Sequence, residues 1–215
     1  MKKQSILIIK NDHIGDLVLA TPVFREIKNA FPNSKITLIA SKSNKPLVEK
    51  NKYIDEILEL DMPKKSLKTL TNYIKMAMTI KRRKFDIGID LRSSLLNCFF
   101  LLWLPGIKKR ISATYTNKLI RLFVTNPVDF DSYTTTEPVV KENLRVINEG
   151  LGIKAKNYWP EIFTDKEDEK SISDLLKKNK IKRYICICPI ASMKYKQWDT
   201  NKFEEITEWI RTKYN

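Results

Sequence analysis

Residues 6–40, ILIIKNDHIGDLVLATPVFREIKNAFPNSKITLIA, hold a strand, a loop, a helix and a second strand, and this unit decides the fold class. The apolar run from Ile6 is cut at Lys10, short of the roughly 7–15-residue core of a signal peptide, so it reads as a strand and not a leader. Leu17, Ala20, Phe24, Ile27 and Phe31 then recur every three to four residues and mark one buried helix face. Pro22 falls inside that pattern. A proline removes an N–H and crowds the preceding turn, so a kink or an early first turn is expected there. The helix closes at Pro32, and Lys35–Ala40 forms the next strand.

Further along, apolar runs of strand length recur at Ile54–Leu60, Asp86–Leu91 and Lys108–Ile111, with helical spacing over Leu67–Arg83 and Ser93–Trp103. Strands alternating with helices are the mark of βαβ units, so the chain is α/β with a parallel sheet. Residues 123–139 show neither period and read as a long loop, a kind of segment that is often functional. Val139–Leu151 returns to helical spacing and ends at Gly152, and Tyr158–Thr164, with Pro160, reads as a linker. From Asp165 a charged helix to about Lys180, a strand Tyr184–Pro189 and an amphipathic helix Asn201–Lys213 follow. One strand cannot make a sheet. The expected organisation is therefore a domain over 1–157, a linker over 158–164, and the unfinished start of a second domain over 165–215.

Composition sets the outer bounds. With 42% hydrophobic residues among 215, a core can form, which excludes disordered and low-complexity classes. Lys and Arg number 40 against 25 Asp and Glu, a net charge of +15. Such a balance suits anionic partners. The basic runs Lys81–Lys84 and Lys108–Arg110 have no helix-turn-helix, RNP or zinc-finger pattern around them, so no nucleic-acid partner is expected. Cys98, Cys186 and Cys188 lack CxxC spacing and indicate a reducing, cytoplasmic setting. Cys186 and Cys188 share one strand face and read as core, not as metal ligands. The most membrane-like stretch, LLNCFFLLWLPGI at 95–107, falls short of the roughly 20 residues of a spanning helix and reads as a buried helix or an interfacial patch.

The best-placed loop for chemistry is KNDHIGD, Lys10–Asp16, because ligands of open parallel sheets bind at the carboxyl ends of strands. Gly15 permits a tight turn and close approach to a ligand, and Asp16 stands at the helix start. Asp in that place is also a routine helix cap, and spacing alone favours the cap. His13, the sole histidine, is a candidate ligand contact or a plain loop residue; with no second His, a metal site built on several histidines cannot be assembled, and no metal is expected. Neither GxGxxG nor GxxxxGK[ST] occurs, which weighs against dehydrogenases and P-loop NTPases. The second loop, CPIASMKYKQWDTNKF at 188–203, carries Ser192, Lys194 and Lys196, where a hydroxyl and ammonium groups could converge on phosphate; a Lys-rich turn is also ordinary solvated surface.

Taken in order, the 6–40 stretch, YIDEILELD, FDIGIDLRSS, KENLRVINEGLGI and CICPIASMKYKQWDTNKFEEI resemble glycosyltransferase family 9, the ADP-heptose:lipopolysaccharide heptosyltransferases. The resemblance runs from residue 6 to the end. It implies a GT-B architecture of two Rossmann-like domains, the first on the acceptor side and the second, here incomplete, on the nucleotide-sugar side. It implies transfer of heptose from ADP-heptose, a substrate and not a cofactor, to an inner-core saccharide of lipopolysaccharide with inversion. Asp16 matches the family's catalytic aspartate, the general base. Lys196 and Ser192 match donor-binding positions, and Lys10, His13 and Gly15 are candidate cleft residues. An anionic glycolipid acceptor implies a cytoplasmic protein resting on the inner membrane. The family usually runs to well over 300 residues, so the chain as given is expected to bind donor poorly and to be inactive by itself. The alternative is a non-catalytic Rossmann-like module that binds an anionic saccharide or a partner chain.

Overall fold

The computed structural model describes residues 4–60, 67–115, 117–130, 137–191 and 193–214. The chain divides into two compact units, Met1–Asp165 and Lys166–Asn215. In the first, strands β1 (Ser5–Ile9), β2 (Lys35–Ala40), β3 (Glu56–Glu59), β4 (Ile87–Asp90), β5 (Lys109–Ala113) and β6 (Asn126–Val128) form one parallel sheet in the order β3-β2-β1-β4-β5-β6. Helices α1 (Ile14–Val18), α2 (Thr21–Ala30), α3 (Leu67–Arg83), α4 (Leu95–Asn97) and α5 (Val139–Leu151) cover it, and α6 (Lys166–Lys178) and α7 (Thr200–Tyr214) belong to the second unit.

β1 is the centre of this design. It pairs with β2 along Ser5–Ile9 and with β4 along Ile6–Ile9, so both of its edges are occupied. Its side chains alternate between two cores. Ile6 and Ile8 pack with Leu17, Phe24 and Ile27 from α1 and α2 and with Leu144 and Ile147 from α5. Leu7 and Ile9 pack with Tyr73 and Ile80 from α3 and with Cys98, Leu101 and Leu102. All four are fully buried, which contributes about 1.5–3 kcal/mol each relative to exposure. Because the chain winds to opposite sides from β1, the strand order reverses between β1 and β4, and the carboxyl ends of those two strands frame the crevice where such sheets bind ligands.

Several expectations change in detail. The helix read from Leu17 to Phe31 is two helices, with Pro22 in the first turn of α2, where its missing N–H costs no intrahelical bond. The helix over Ser93–Trp103 is a short α4, capped by the Ser94 hydroxyl on the Asn97 N–H, that continues as a π-helix over Cys98–Trp103. Gly88 of β4 lets it come close: a Cβ there would occupy the place taken by the Leu102 side chain. The long loop at 123–139 contains β6, whose three residues are too few to show a period and whose Pro127 is tolerated on a sheet edge. The 158–164 segment is not a free linker. Buried Arg25 of α2 donates to the carbonyls of Asn157 (2.7 Å) and Trp159 (3.2 Å) and pairs with Glu161, binding it to the first unit.

In the second unit both helices form, but Tyr184–Pro189 is not a strand. No described residue of this unit is buried. Cys186 and Cys188 are accordingly exposed and not core, since a core face requires a neighbour to pack on.

Candidate active site

The loop after β1 is held in place residue by residue. Lys10 is buried, and its ammonium donates to Asp12 Oδ2 at 2.9 Å and to the Leu91 carbonyl at 3.1 Å, linking the ends of β1 and β4. Asn44, fully buried after β2, donates from Nδ2 to the carbonyls of Lys10 (3.1 Å) and Asp12 (3.2 Å). Its Oδ1 accepts from the Ser41 N–H at 2.8 Å, so neither end of the amide is left unpaired. These bonds replace the regular hydrogen bonding that a loop lacks.

Beneath the loop lies a buried polar network centred on Asp90, the last residue of β4. Its Oδ1 accepts from Asn97 Nδ2 at 2.9 Å, and Oδ2 accepts from the Ser94 N–H at 2.8 Å and the Ser112 hydroxyl at 3.3 Å. Asn97 Nδ2 also donates to Asn11 Oδ1 at 3.2 Å, and the Tyr73 hydroxyl donates to Asn97 Oδ1 at 2.9 Å. Burial holds the Asp90 carboxyl above the ordinary carboxylate range, although hydrogen bonds from Asn97 and Ser94 and the charge of Lys10 pull the other way. Burial likewise pushes the Tyr73 phenol up to about 12, and burial with the nearby Asp90 pushes the Cys98 thiol upward. Cys98 is therefore a packing residue and not a reactive thiol. Ser93, next along, takes φ +56 while its hydroxyl donates to the Ala113 carbonyl at 2.5 Å. A serine in that region carries strain, and here it turns the chain sharply out of β4.

Above the network is a cavity of about 170 Å³. Lys10, Asp12 and Asp16 line it from the first loop, Leu91 and Arg92 from the end of β4, Ala113 and Tyr115 from the end of β5, Phe130 from beyond β6, and Glu142, Asn143 and Val146 from α5. Tyr115 and Phe130 meet edge to face with ring centres 5.5 Å apart. The volume is below the roughly 300–1,000 Å³ that encloses a whole small-molecule ligand, so the cavity suits one end of a larger substrate. The carboxylates of Asp12 and Asp16 offer hydrogen-bond acceptors, Arg92 offers a cation, and the two rings offer an apolar wall.

The sequence-selected residues distribute unevenly around this cavity. Asp16 is half-buried at the third position of α1, lines the cavity and makes no side-chain hydrogen bond or ion pair among the described residues. It is not the cap: His13 holds that position, exposed, with no capping bond from its side chain. Gly15 does not serve a left-handed turn, since only Gly106 and Gly152 among the glycines have positive φ. A Cβ on Gly15 would meet open space, so what glycine leaves there is room above the loop. Lys196 is exposed in the second unit, at the end of a single 3-10 turn, with its ammonium 5.7 Å from the Tyr195 ring centre. Ser192 lies outside the described residues. Arg92, Asp12, Tyr115 and Glu142 were not singled out in the sequence; Arg92 and Asp12 lie in the loops that follow β4 and β1, a position that would have flagged them. The described residues contain no cluster of His, Cys, Asp or Glu suited to a metal ion.

A doubly wound parallel sheet whose polar cavity opens at the strand-order reversal defines a Rossmann-like ligand-binding domain. Comparison narrows the class. The model of glycosyltransferase family 9 (heptosyltransferase) matches residues 73–214. The chain belongs to that family. Lipopolysaccharide heptosyltransferase 3 of Escherichia coli K12 is 23% identical over 213 residues, covering 92% of this chain and 57% of that protein. The crystal structure of a family 9 glycosyl transferase from Veillonella parvula superposes with a TM-score of 0.81 at 19% identity, over 100% of this chain and 63% of that one. The Escherichia coli heptosyltransferase WaaC with ADP gives 0.68 at 13% identity, over 96% and 63%. These likenesses establish the GT-B type of fold. The chain spans little more than half the length of the curated relative.

Proposed function

We propose that the protein takes part in transfer of a heptose from ADP-heptose to an anionic inner-core saccharide of lipopolysaccharide, with the cavity of the first unit holding the acceptor. The observation that carries this reading is Asp16, a half-buried carboxylate with no competing side-chain partner among the described residues, facing a cavity that also holds Arg92 and an aromatic wall. The acceptor hydroxyl gives its proton to the Asp16 carboxylate as its oxygen bonds to the anomeric carbon. The bond from that carbon to the diphosphate breaks, ADP leaves with the electron pair, and the configuration inverts. Lys196 and Ser192 bind the diphosphate and stabilise the charge on departing ADP. The donor is consumed as substrate, and no cofactor enters the scheme. The family membership and the ADP in the WaaC structure support the choice of nucleotide. Reaction with a lipid-linked acceptor places the protein in the cytoplasm, at the inner face of the membrane; among the described residues no helix is long and apolar enough to cross one.

The test is transfer by the protein as its source cell makes it, followed as ADP release with ADP-heptose and an inner-core acceptor. Asp16→Asn is expected to lower turnover about 10²–10⁴-fold while leaving donor binding intact, the range for loss of a general base. Turnover by Asp16→Asn at the unaltered rate removes Asp16 as the base. Saccharide binding with no ADP release by the unaltered protein shows a binding module instead.

A further inference from the structure

The basic residues of the chain are unevenly placed. Residues 62–85 contain eight Lys and Arg and residues 91–128 contain six, and neither stretch contains an Asp or Glu. The described helical parts of both lie on the same side of the sheet. Tyr73 of α3 meets Phe100 of the π-helix with ring centres 5.4 Å apart, and Phe123, after the 3-10 turn Lys118–Leu122, meets Phe99 at 5.2 Å and Trp103 at 5.8 Å. Beneath these rings the surface is joined to the core through Leu101, Leu102 and Ile120.

Outward, this face is apolar. Leu67, Leu70, Ile74 and Met78 are all exposed, Leu67 to 85%. Their spacing of three, four and four residues places them in a single stripe along α3. Trp103, Leu104, Leu119 and Leu122 are exposed on the neighbouring turns. Lys68, Lys75 and Arg82 flank the stripe on α3, and Lys108 and Lys118 stand exposed beside the second cluster. The carboxylate that reaches the end of α3 comes from β3: Glu56 pairs with Arg83 and with Lys35, and Arg83, as its nearest partner, holds its carboxyl below the ordinary range. Soluble proteins rarely expose apolar side chains in such a run without a use for them.

We propose that this face docks on a phospholipid bilayer bearing anionic headgroups, with the α3 stripe and the Trp103–Leu122 cluster entering the headgroup boundary. A helix with an apolar stripe edged by Lys and Arg is the form that lies in a membrane interface, and an indole at the rim suits the headgroup level. The charge pattern selects this occupant. A folded protein presents both signs of charge and fixes a register with them, whereas a uniformly negative surface asks only for the absence of acids, which both stretches show across their whole length. The proposal agrees with a lipid-linked acceptor, rests on that reading for its biological purpose, and is tested without any sugar, so either can fail while the other stands.

The experiment is sedimentation of the full chain with phosphatidylcholine vesicles made with and without phosphatidylglycerol. Binding is expected only with phosphatidylglycerol, and it is expected to weaken as salt rises. Two variants probe the face: Leu70→Gln/Ile74→Gln/Met78→Gln, and Lys68→Glu/Lys75→Glu/Arg82→Glu. Each should weaken binding at least about tenfold, since a Lys or Arg near such a surface contributes about fivefold by itself. The control Lys170→Glu/Lys177→Glu/Lys178→Glu makes the same change of charge on α6 and should retain most of the binding. All nine positions are solvent-facing, and circular dichroism checks the fold of each variant. The proposal is overturned by absence of binding to anionic vesicles, by face variants that bind as well as the unaltered chain, or by a control that loses as much, which would leave net charge as the whole cause. A dimer in solution that only the apolar variant dissolves, without vesicle binding, would show that a second copy covers the face.

Discussion

Ile6–Ile9 in the first unit and Tyr184–Ile187 in the second are both short, apolar, partly β-branched runs, each followed by a loop and an amphipathic helix. Only the first is a strand. Ile6–Ile9 has β2 on one edge, β4 on the other and helices above and below, and none of its side chains is exposed. Tyr184, Ile185 and Ile187 are paired with nothing among the described residues and are open to solvent. The helices of the two units differ far less, because a helix satisfies its backbone within itself. A strand borrows its hydrogen bonds from neighbours, and a similar apolar run therefore has a different outcome where the described residues bring no strand beside it.

The sharpest way to test this contrast is by matched truncations. Phe24→Ala in the core of the first unit is expected to cost about 3–5 kcal/mol, whereas Ile187→Ala should fall within about 0.5 kcal/mol of the unaltered chain. Urea unfolding measures both. A large loss at Ile187 would break the comparison, because it would mean that 184–189 is packed in solution.

Next in size is the pair of lysines. Lys10→Ala removes the cation beside Asp12 and leaves a carboxylate little exposed and unpaired, at a cost of about 3 kcal/mol in urea unfolding. Lys196→Ala, at an exposed position, should leave stability unchanged. Equal effects would deny the difference in burial on which the comparison rests.

The smallest expected effects depend on pH. Asp90→Asn turns an acceptor toward donors into a donor toward donors at the Ser94 N–H, and should cost about 1–3 kcal/mol at low pH. Because the folded Asp90 carboxyl lies above its ordinary range, the folded state binds the proton more tightly. Its contribution is complete below the ordinary Asp value and declines as pH rises through the raised one. The gap between the variant and the unaltered chain should narrow in that interval. Glu56, lowered by Arg83, has the opposite sign: its contribution is present above the ordinary Glu value and is lost as pH falls through the lowered one. Being a surface pair, it is expected to contribute about 0.5 kcal/mol or less. Unfolding midpoints from strongly acidic to neutral pH distinguish the two slopes.

The site was legible where it lies in consecutive residues and obscure where it is assembled. KNDHIGD follows a strand and opens a helix, so position marked the loop, the family resemblance singled out Asp16 within it, and the structure puts Asp16 on the cavity wall. Its alternative as a helix cap could not be dismissed until His13 was seen in the capping place. Arg92, Tyr115 and Glu142 come from three separate segments, and only the pairing of β4 with β1 and β5 brings them to one crevice. The Asp90 network is equally hidden: an Asp at the end of an apolar run reads as the strand's exit, and its burial depends on Asn97, Ser112 and Lys10 arriving from elsewhere.

What the sequence by itself determined is the set of local decisions: helical faces with a period near 3.6, the restart at Pro22, the stop at Gly152, the alternation of strands with helices, and a family resemblance that the comparison bears out. What only the tertiary structure decided is which apolar runs become strands, that β6 extends the sheet, that 158–164 belongs to the first unit, and which polar side chains share a cavity. The physical reason is the range of the forces. Helix hydrogen bonds and backbone preferences act within a few residues, while strand pairing, burial and the raised pKa of Asp90 exist only once segments distant in the chain have met.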